Sequence, residues 1–173
     1  MLKVAILGPE STGKSTLSAQ LAEHYGTSFV PEYSREYLNG FEGQYQIDDV
    51  VKIAQGQQRW IDEAKAKQPV ILIADTEMIV NKIWCKYVFQ SVPKAISDLV
   101  GRQHFDLYLL CDIDLEWRYD PLRENPNIAE RETIFGLYKK ELNSLKANYE
   151  IINGQGAKRL QNAVDAIKRQ IIS

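Results

Sequence analysis

The sequence is poor in cysteine, histidine and net charge. Its 173 residues contain two cysteines and two histidines, and the formal net charge is −2. Cys85 and Cys111 lie far apart and in no C-x-x-C arrangement, so we expect two free thiols buried as small apolar side chains. Domains that bind nucleic acids usually carry a strongly basic face, and this composition argues against one.

The sequence also lacks a long apolar run. No stretch reaches the ~18 apolar residues that a membrane-spanning helix needs. The first residues, Met1–Leu7, contain one lysine and a very short apolar segment, unlike a signal peptide. We therefore expect a cytoplasmic protein whose partners are neither nucleic acids nor membranes, and the oligomeric state is not predicted.

Short apolar segments alternate with segments of helical periodicity along the chain. The expected strands are Leu2–Leu7, Ser28–Val30, Val70–Ala74, Phe105–Cys111 and Tyr149–Ile152. The expected helices cover residues 15–25, 48–67, 77–89, 93–100 and 129–146, and a last helix follows residue 156 and ends near 171. Asp48 or Asp49 is expected to cap the second of these helices. This alternation predicts one domain, a three-layer α/β/α sandwich with a parallel sheet of about five strands and a lid at about 112–131.

The segment that decides the class of protein lies between the first strand and the first helix. Residues 8–15, GPESTGKS, fit the G-x-x-x-x-G-K-[ST] pattern of a phosphate-binding loop, or P-loop. Its glycines let main-chain N–H groups close around phosphate oxygens, and the start of the following helix favours negative charge. Lys14 is expected to contact the β- and γ-phosphates, and the Ser15 hydroxyl to ligate Mg²⁺. The residues expected to bind ATP here are Gly8, Pro9, Glu10, Ser11, Thr12, Gly13, Lys14, Ser15 and Thr16.

An acidic residue and several arginines complete the expected phosphate site. Asp75 directly follows a predicted strand, at the edge of the sheet where α/β proteins bind ligands. Its carboxylate can hold Mg²⁺, accept a proton from the acceptor hydroxyl, or cap the next helix. Arg118, Arg123 and Arg131 lie in the lid and can stabilise the transferred phosphoryl group, unless they are solvated surface charges. Arg123 is the first candidate for catalysis, and Arg118 is expected to contact ATP.

The acceptor is expected to bind beside the segment that follows the second strand. Glu32 can accept hydrogen bonds from ribose hydroxyls or act as the base toward the attacking hydroxyl. Tyr33 can stack on a flat ring, and Arg35 can neutralise a phosphate or pair with a neighbouring glutamate. Otherwise these residues start a helix with surface charges. Gln58, on the long helix, can turn a polar face toward the acceptor. Trp84 can flank a ring, although an aromatic residue in such a helix is more typical of the core.

Five segments together resemble the nicotinamide riboside kinase domain of NadR-type proteins. They are GPESTGKSTLSAQLAEHYGT, PEYSREYL, the Q-x-x-R-W-I-D run that begins at Gln57 or Gln58, IADTEM and EWRYDPLR. The resemblance implies an ATP- and Mg²⁺-dependent kinase that makes nicotinamide mononucleotide. It puts Asp75 beside the phosphates and the acceptor hydroxyl, the segment at 32–35 around the acceptor, and Asp120 to Arg123 in the lid. Because the chain begins at the kinase's first strand, it is expected neither to make the dinucleotide nor to act as a repressor.

The expected function is transfer of the γ-phosphoryl group of ATP to the 5′-hydroxyl of nicotinamide riboside, with Mg²⁺ as cofactor. Two alternatives stay open, a kinase for another nucleoside or nucleotide and an NTP-dependent regulatory ATPase. The expected catalytic residues are Lys14, Asp75, Glu32 and Arg123. The expected acceptor-binding residues are Glu32, Tyr33, Arg35, Gln58 and Asp75, and the expected metal ligands are Ser15 and Asp75.

Overall fold

The computed structural model of the protein describes residues 1–117 and 127–172. Its strands are β1 (Leu2–Leu7), β2 (Phe29–Val30), β3 (Ile71–Asp75), β4 (Leu107–Cys111) and β5 (Tyr149–Ile152). Its helices are α1 (Lys14–His24), α2 (Tyr33–Leu38), α3 (Ile47–Ala66), α4 (Met78–Val88), α5 (Lys94–Arg102), α6 (Ile128–Ser144) and α7 (Ala157–Ile172). Apart from the short helix α2, these elements follow the periodicity of the sequence within a few residues.

The strands form a parallel sheet in the order β2-β3-β1-β4-β5. The strands β3 and β4 are buried at every position, which explains why they are near-continuous apolar runs in the sequence. The central strand β1 pairs with β3 on one side and with β4 on the other. The carboxyl ends of β1, β3 and β4 therefore meet at one edge, where parallel α/β sheets bind ligands.

Alternate residues of the sheet face two different helix layers. On β1, Ala5 and Leu7 belong to the core cluster that contains residues of α3, α4, α5 and α6. Val4 and Ile6 belong to a second cluster, which contains residues of α1 and α7. This period of two gives a helix layer on each face of the sheet. The expected three-layer α/β/α fold with a five-stranded parallel sheet is confirmed.

The expected cap at Asp48 or Asp49 is wrong, and the alternative interpretation of Asp75 as a helix cap is also wrong. Gln46 is the N-cap of α3, and Asp49 lies in its first turn, where its Oδ2 accepts a hydrogen bond from the Gln46 backbone N–H at 2.8 Å. This reciprocal arrangement is a capping box, in which the acidic residue sits three positions after the cap. Glu77 caps α4, since its Oε1 accepts from the Ile79 N–H at 2.9 Å. Asp75, the last residue of β3, is therefore free of a capping role.

The structure also describes the two cysteines and the lengths of the apolar helices. Cys85 and Cys111 are both buried and both free, as expected. Among the described residues, none of the helices combines the length and the apolarity needed to span a membrane.

Candidate active site

The loop between β1 and α1 has backbone angles that are unfavourable for most residues other than glycine. Gly8, Ser11 and Gly13 have φ angles of 142°, 56° and 76°. A Cβ atom on Gly8 would lie 2.8 Å from the backbone oxygen of Cys111, so the end of β4 leaves room only for glycine. Gly13 is the N-cap of α1 and has no side chain to pair with the free N–H groups of the helix. These N–H groups and the helix dipole make the start of α1 suited to an anion.

Two side chains of this loop bind its own backbone. The Nζ of Lys14 donates to the carbonyl oxygens of Gly8 and Pro9, each at 2.9 Å. The Oγ1 of Thr12 donates to the Pro9 carbonyl at 2.8 Å. The loop is therefore closed on itself, with the cation of Lys14 at its mouth and Ser15 exposed at the first turn of α1.

Asp75 lies next to this loop at the end of β3 and is 1% exposed. Burial is the main cause that raises the pKa of its carboxyl group to about 6. The Lys14 ammonium and a hydrogen bond from Ser15 act in the opposite direction on this pKa, with smaller effects from Glu32 and Arg35. Among the described residues, the Oδ1 atom of Asp75 has no hydrogen-bond partner. A buried carboxylate with a perturbed pKa beside a fixed cation is typical of functional sites.

The segment after β2 brings two of the expected acceptor residues to the same cavity as the P-loop. Glu32 is the N-cap of α2, and its Oε1 accepts a hydrogen bond from the Ser34 hydroxyl at 2.7 Å. Glu32, Ser34 and Arg35 line the cavity together with residues 8–16. Asp75 is too buried to line the cavity. It interacts with Lys14 and Ser15, and these two residues line the cavity.

Tyr33 and Gln58, which were also expected to bind the acceptor, lie outside the lining of this cavity as well. The ring of Tyr33 packs edge-to-face on Trp60, with 4.7 Å between the ring centroids. The amide of Gln58 donates to Asp62 at 3.0 Å and accepts from the Gln103 side chain at 3.2 Å. Both side chains thus connect helices, and their roles toward the acceptor stay predictions.

The cavity has an apolar end that the sequence did not reveal. It is lined by Val50, Ile53 and Ile83 together with Tyr45 and Trp84. The Nε1 of Trp84 donates to the Tyr45 hydroxyl at 2.8 Å, so the two aromatic side chains are held together. The sequence favours a core position for Trp84 over a position beside a ring, and it assigns no role to Tyr45. The available signal was the pair of aromatic residues, Phe41 and Tyr45, in a mostly polar, glycine-containing stretch.

A second concave region lies on the other side of the P-loop. It is lined by Thr16 and Gln20 of α1, by Leu115 and by Gln155 and Gly156, which follow β5. The two regions share Ser11, Gly13 and Thr16, so a molecule in one and a molecule in the other would meet at the P-loop.

The expected lid is described in part. Arg118 and Arg123, like the rest of 118–126, lie outside the described residues. Arg131 is 3% exposed on α6, and its Nη2 donates to the carbonyl of Leu115 at 3.2 Å. The interpretation of Arg131 as a solvated surface charge is therefore wrong, because its guanidinium packs beside the P-loop backbone.

A parallel sheet whose central strand leads into a glycine-rich loop, closed over the first turn of a helix, defines a P-loop NTPase fold. The family model described as an AAA domain matches residues 3–159. The chain belongs to this family. The resemblance to NadR-type proteins is also confirmed by the relatives described next.

The trifunctional NAD biosynthesis/regulator protein NadR of Salmonella typhimurium is 33% identical over 138 residues. These residues are 78% of this chain and 34% of NadR, so the chain spans about a third of the length of this relative. A crystal structure of NadR in complex with NR has a TM-score of 0.84 at 22% identity, and the match covers 99% of this chain and 52% of that chain. Deoxyadenosine kinase from M. mycoides has a TM-score of 0.61 at 15% identity, with 97% and 100% of the two chains covered.

Proposed function

We propose that the protein is a kinase that transfers the γ-phosphoryl group of ATP to the 5′-hydroxyl of nicotinamide riboside. The observation that carries this proposal is a single cavity whose lining includes the P-loop, Glu32 and Arg35, and the aromatic side chains of Tyr45 and Trp84. These three parts of the lining suit a phosphoryl group, a ribose and a flat base. The NAD biosynthesis role in the name of NadR, and its crystallisation with NR, support nicotinamide riboside as the acceptor.

The P-loop and the second concave region would hold the donor. Backbone N–H groups at the start of α1 and the Lys14 ammonium would bind the β- and γ-phosphates. The nucleoside part of ATP would then extend between α1 and the loop that contains Gln155 and Gly156. In the lid, Arg118 and Arg123 would contribute positive charge to the transferred group.

The residues beside Lys14 fit a magnesium ion. The exposed Ser15 hydroxyl and the buried Asp75 carboxylate are hard oxygen ligands, and the Oδ1 of Asp75 has no partner among the described residues. In the described part of the chain no cluster of three or more His, Cys, Asp or Glu residues forms a protein-only site. This agrees with an ion held mainly through nucleotide phosphates, where it would neutralise charge on the β- and γ-oxygens.

Glu32 is the carboxylate that we assign to the acceptor. It lines the cavity, whereas Asp75 is 1% exposed and pairs with Ser15. Glu32 would orient the 5′-hydroxyl and accept its proton as the oxygen attacks phosphorus in line with the leaving ADP. Arg35 would offset the negative charge that develops between the two substrates.

The aromatic end of the cavity suits the base of this acceptor. The nicotinamide ring of the riboside is a flat cation, and cations are attracted to the faces of tryptophan and tyrosine rings. Trp84 and Tyr45 are fixed to each other by a hydrogen bond, so little conformational entropy would be lost when a ring packs on them.

The proposal is tested by measuring ADP release with Mg·ATP and a panel of acceptors. Nicotinamide riboside should give the highest kcat/KM, above adenosine, deoxyadenosine and thymidine. Lys14→Met should abolish turnover because it removes the cation at the phosphates, while Lys65→Met, a change on the outer side of α3, should leave turnover unchanged. Equal ADP release without any acceptor would favour a regulatory ATPase instead. A higher kcat/KM for another nucleoside would show that this nucleoside, and not nicotinamide riboside, is the preferred acceptor.

A further inference from the structure

A buried glutamine on α3 connects the two segments that carry the proposed acidic residues. Gln57 is 1% exposed. Its Nε2 donates to the carbonyl oxygen of Pro31 at 3.1 Å and to that of Thr76 at 3.3 Å. Its Oε1 accepts from the backbone N–H of Tyr33 at 2.7 Å. One side-chain amide thus binds the backbone after β2 and the backbone after β3.

Two of these partners, Pro31 and Tyr33, lie on either side of Glu32. Pro31 precedes Glu32 and Tyr33 follows it, so the Gln57 amide holds the peptide units that enter and leave this residue. β2 has only two residues and none of the six residues of α2 is buried, so the Gln57 amide, together with the packing of Tyr33 on Trp60, holds this segment against α3. Of these contacts, the hydrogen bonds of Gln57 are the ones that act directly on the backbone on both sides of Glu32.

The third partner, Thr76, directly follows Asp75. Thr76 has a φ angle of 82°, a left-handed conformation that β-branched residues rarely adopt. Such a conformation persists only where the surrounding structure holds it. Here the Thr76 N–H donates to the Ile6 carbonyl at 3.1 Å, and its carbonyl accepts from Gln57. Gln57 therefore also restrains the turn that sets the direction of the Asp75 side chain.

We infer that Gln57 is a positioning residue, which fixes the distance between Glu32 and Asp75 without contacting the reacting atoms. This inference rests on the proposed function, in which Glu32 orients the acceptor and Asp75 lies at the phosphates. In-line attack needs the hydroxyl and the phosphorus within a narrow range of distance and angle, and a displacement of ~1 Å can lower the rate by ~100-fold.

The first test compares single variants. Gln57→Met keeps the length of the side chain and removes all three hydrogen bonds. It should lower kcat with the acceptor by at least ~10-fold, while KM for ATP changes by less than about twofold, since its three hydrogen bonds go to Pro31, Tyr33 and Thr76, which lie outside the P-loop. The matched control is Gln55→Met, an exposed change on the same helix, which should leave both constants unchanged. Should Gln57→Met fail to fold, Gln57→Glu retains the acceptor oxygen for Tyr33 and loses the N–H donors, and the same result is expected.

The second test separates positioning from a general loss of stability. If Gln57 acts by positioning Glu32 relative to Asp75, the loss of kcat caused by Gln57→Met should be clearly smaller in the Glu32→Gln background than in the unmodified protein. Effects that arise independently would multiply instead. Two results would overturn the inference and leave the proposed function standing. One is a double variant whose loss of kcat equals the product of the two single losses. The other is a normal kcat in both Gln57 variants while Glu32→Gln is impaired. Full activity of Glu32→Gln would overturn the proposed role of Glu32, and with it the inference.

Discussion

Replacing Asp75 by asparagine should stabilise the protein at neutral pH while impairing the proposed reaction. Burial raises the pKa of this carboxyl group from its ordinary value of 3.8 to about 6. Since each pKa unit corresponds to ~1.4 kcal/mol, the charged carboxylate lowers the free energy of unfolding by ~3 kcal/mol at neutral pH. Asparagine has nearly the same size and no charge, but its N–H₂ group without a partner costs ~1 kcal/mol. The expected net gain is ~2 kcal/mol, or roughly 4–8 °C in Tm for a chain of this size.

The pH dependence of this gain follows from proton binding. Between pH 3.8 and about 6 the folded protein keeps a proton on Asp75 that the unfolded chain has released. The unmodified protein therefore loses stability as the pH rises through this window, and above it the loss is constant. The asparagine variant has no such loss. Its advantage should grow by ~1.5 kcal/mol between about pH 5 and pH 8.

Urea unfolding of both proteins at several pH values measures this difference. The control is Asp98→Asn on the surface of α5, where the carboxylate pairs with Lys94 at 2.7 Å. Exposed ion pairs contribute at most ~1 kcal/mol, so this variant should differ little from the unmodified protein at either pH. If Asp75→Asn were less stable at pH 8, or if its advantage were the same at every pH, the carboxylate would not be held in a desolvated position and the reasoning would be refuted.

Two glycine substitutions give further predictions. Gly8→Ala should lower stability by ~1–3 kcal/mol, since its φ of 142° is unfavourable and the new Cβ would lie 2.8 Å from the Cys111 oxygen. It should also weaken ADP binding in calorimetric titration, and normal binding would contradict the role of this turn. Gly56→Ala should gain up to ~1 kcal/mol from helix propensity. It should still be destabilising in urea unfolding, because the new Cβ would lie 2.0 Å from the Tyr33 ring. The same change in a Tyr33→Ala background should become neutral or favourable, and an unchanged loss there would refute the steric explanation.

The sheet and the P-loop were predictable because their signals are local. Strands buried on both faces must be nearly continuous apolar runs, as in Ile71–Asp75 and Leu107–Cys111. The P-loop pattern specifies glycines where the backbone needs positive φ angles, and Gly8 and Gly13 have them. Neither feature depends on which distant segment packs nearby.

The acceptor side was less predictable because it depends on how α3 is rotated against the sheet. Adjacent residues on a helix point about 100° apart. Gln57 therefore lies buried against the backbone near Asp75, while Gln58 points toward Asp62 and Gln103. The sequence shows two consecutive glutamines and does not say which of them faces inward. That choice is set by contacts between distant segments, such as Tyr33 on the backbone of Gly56.

The end of β3 combines two features that oppose folding, a buried carboxylate at Asp75 and a positive φ at Thr76. Each costs free energy, and the hydrogen bonds from Ser15 and Gln57 offset it only in part. A side chain of asparagine at 75 and a glycine at 76 would satisfy the same fold with less strain. Residues that lower the stability of the fold are expected where a functional site requires them. A bound cation beside the Asp75 carboxylate would favour its charged form and recover the free energy that burial removes. The stability of this edge of the sheet is thus coupled to the ligand that it is proposed to bind. The Asp75→Asn variant should therefore be more stable than the unmodified protein without ligands, and its substrates should stabilise it less than they stabilise the unmodified protein.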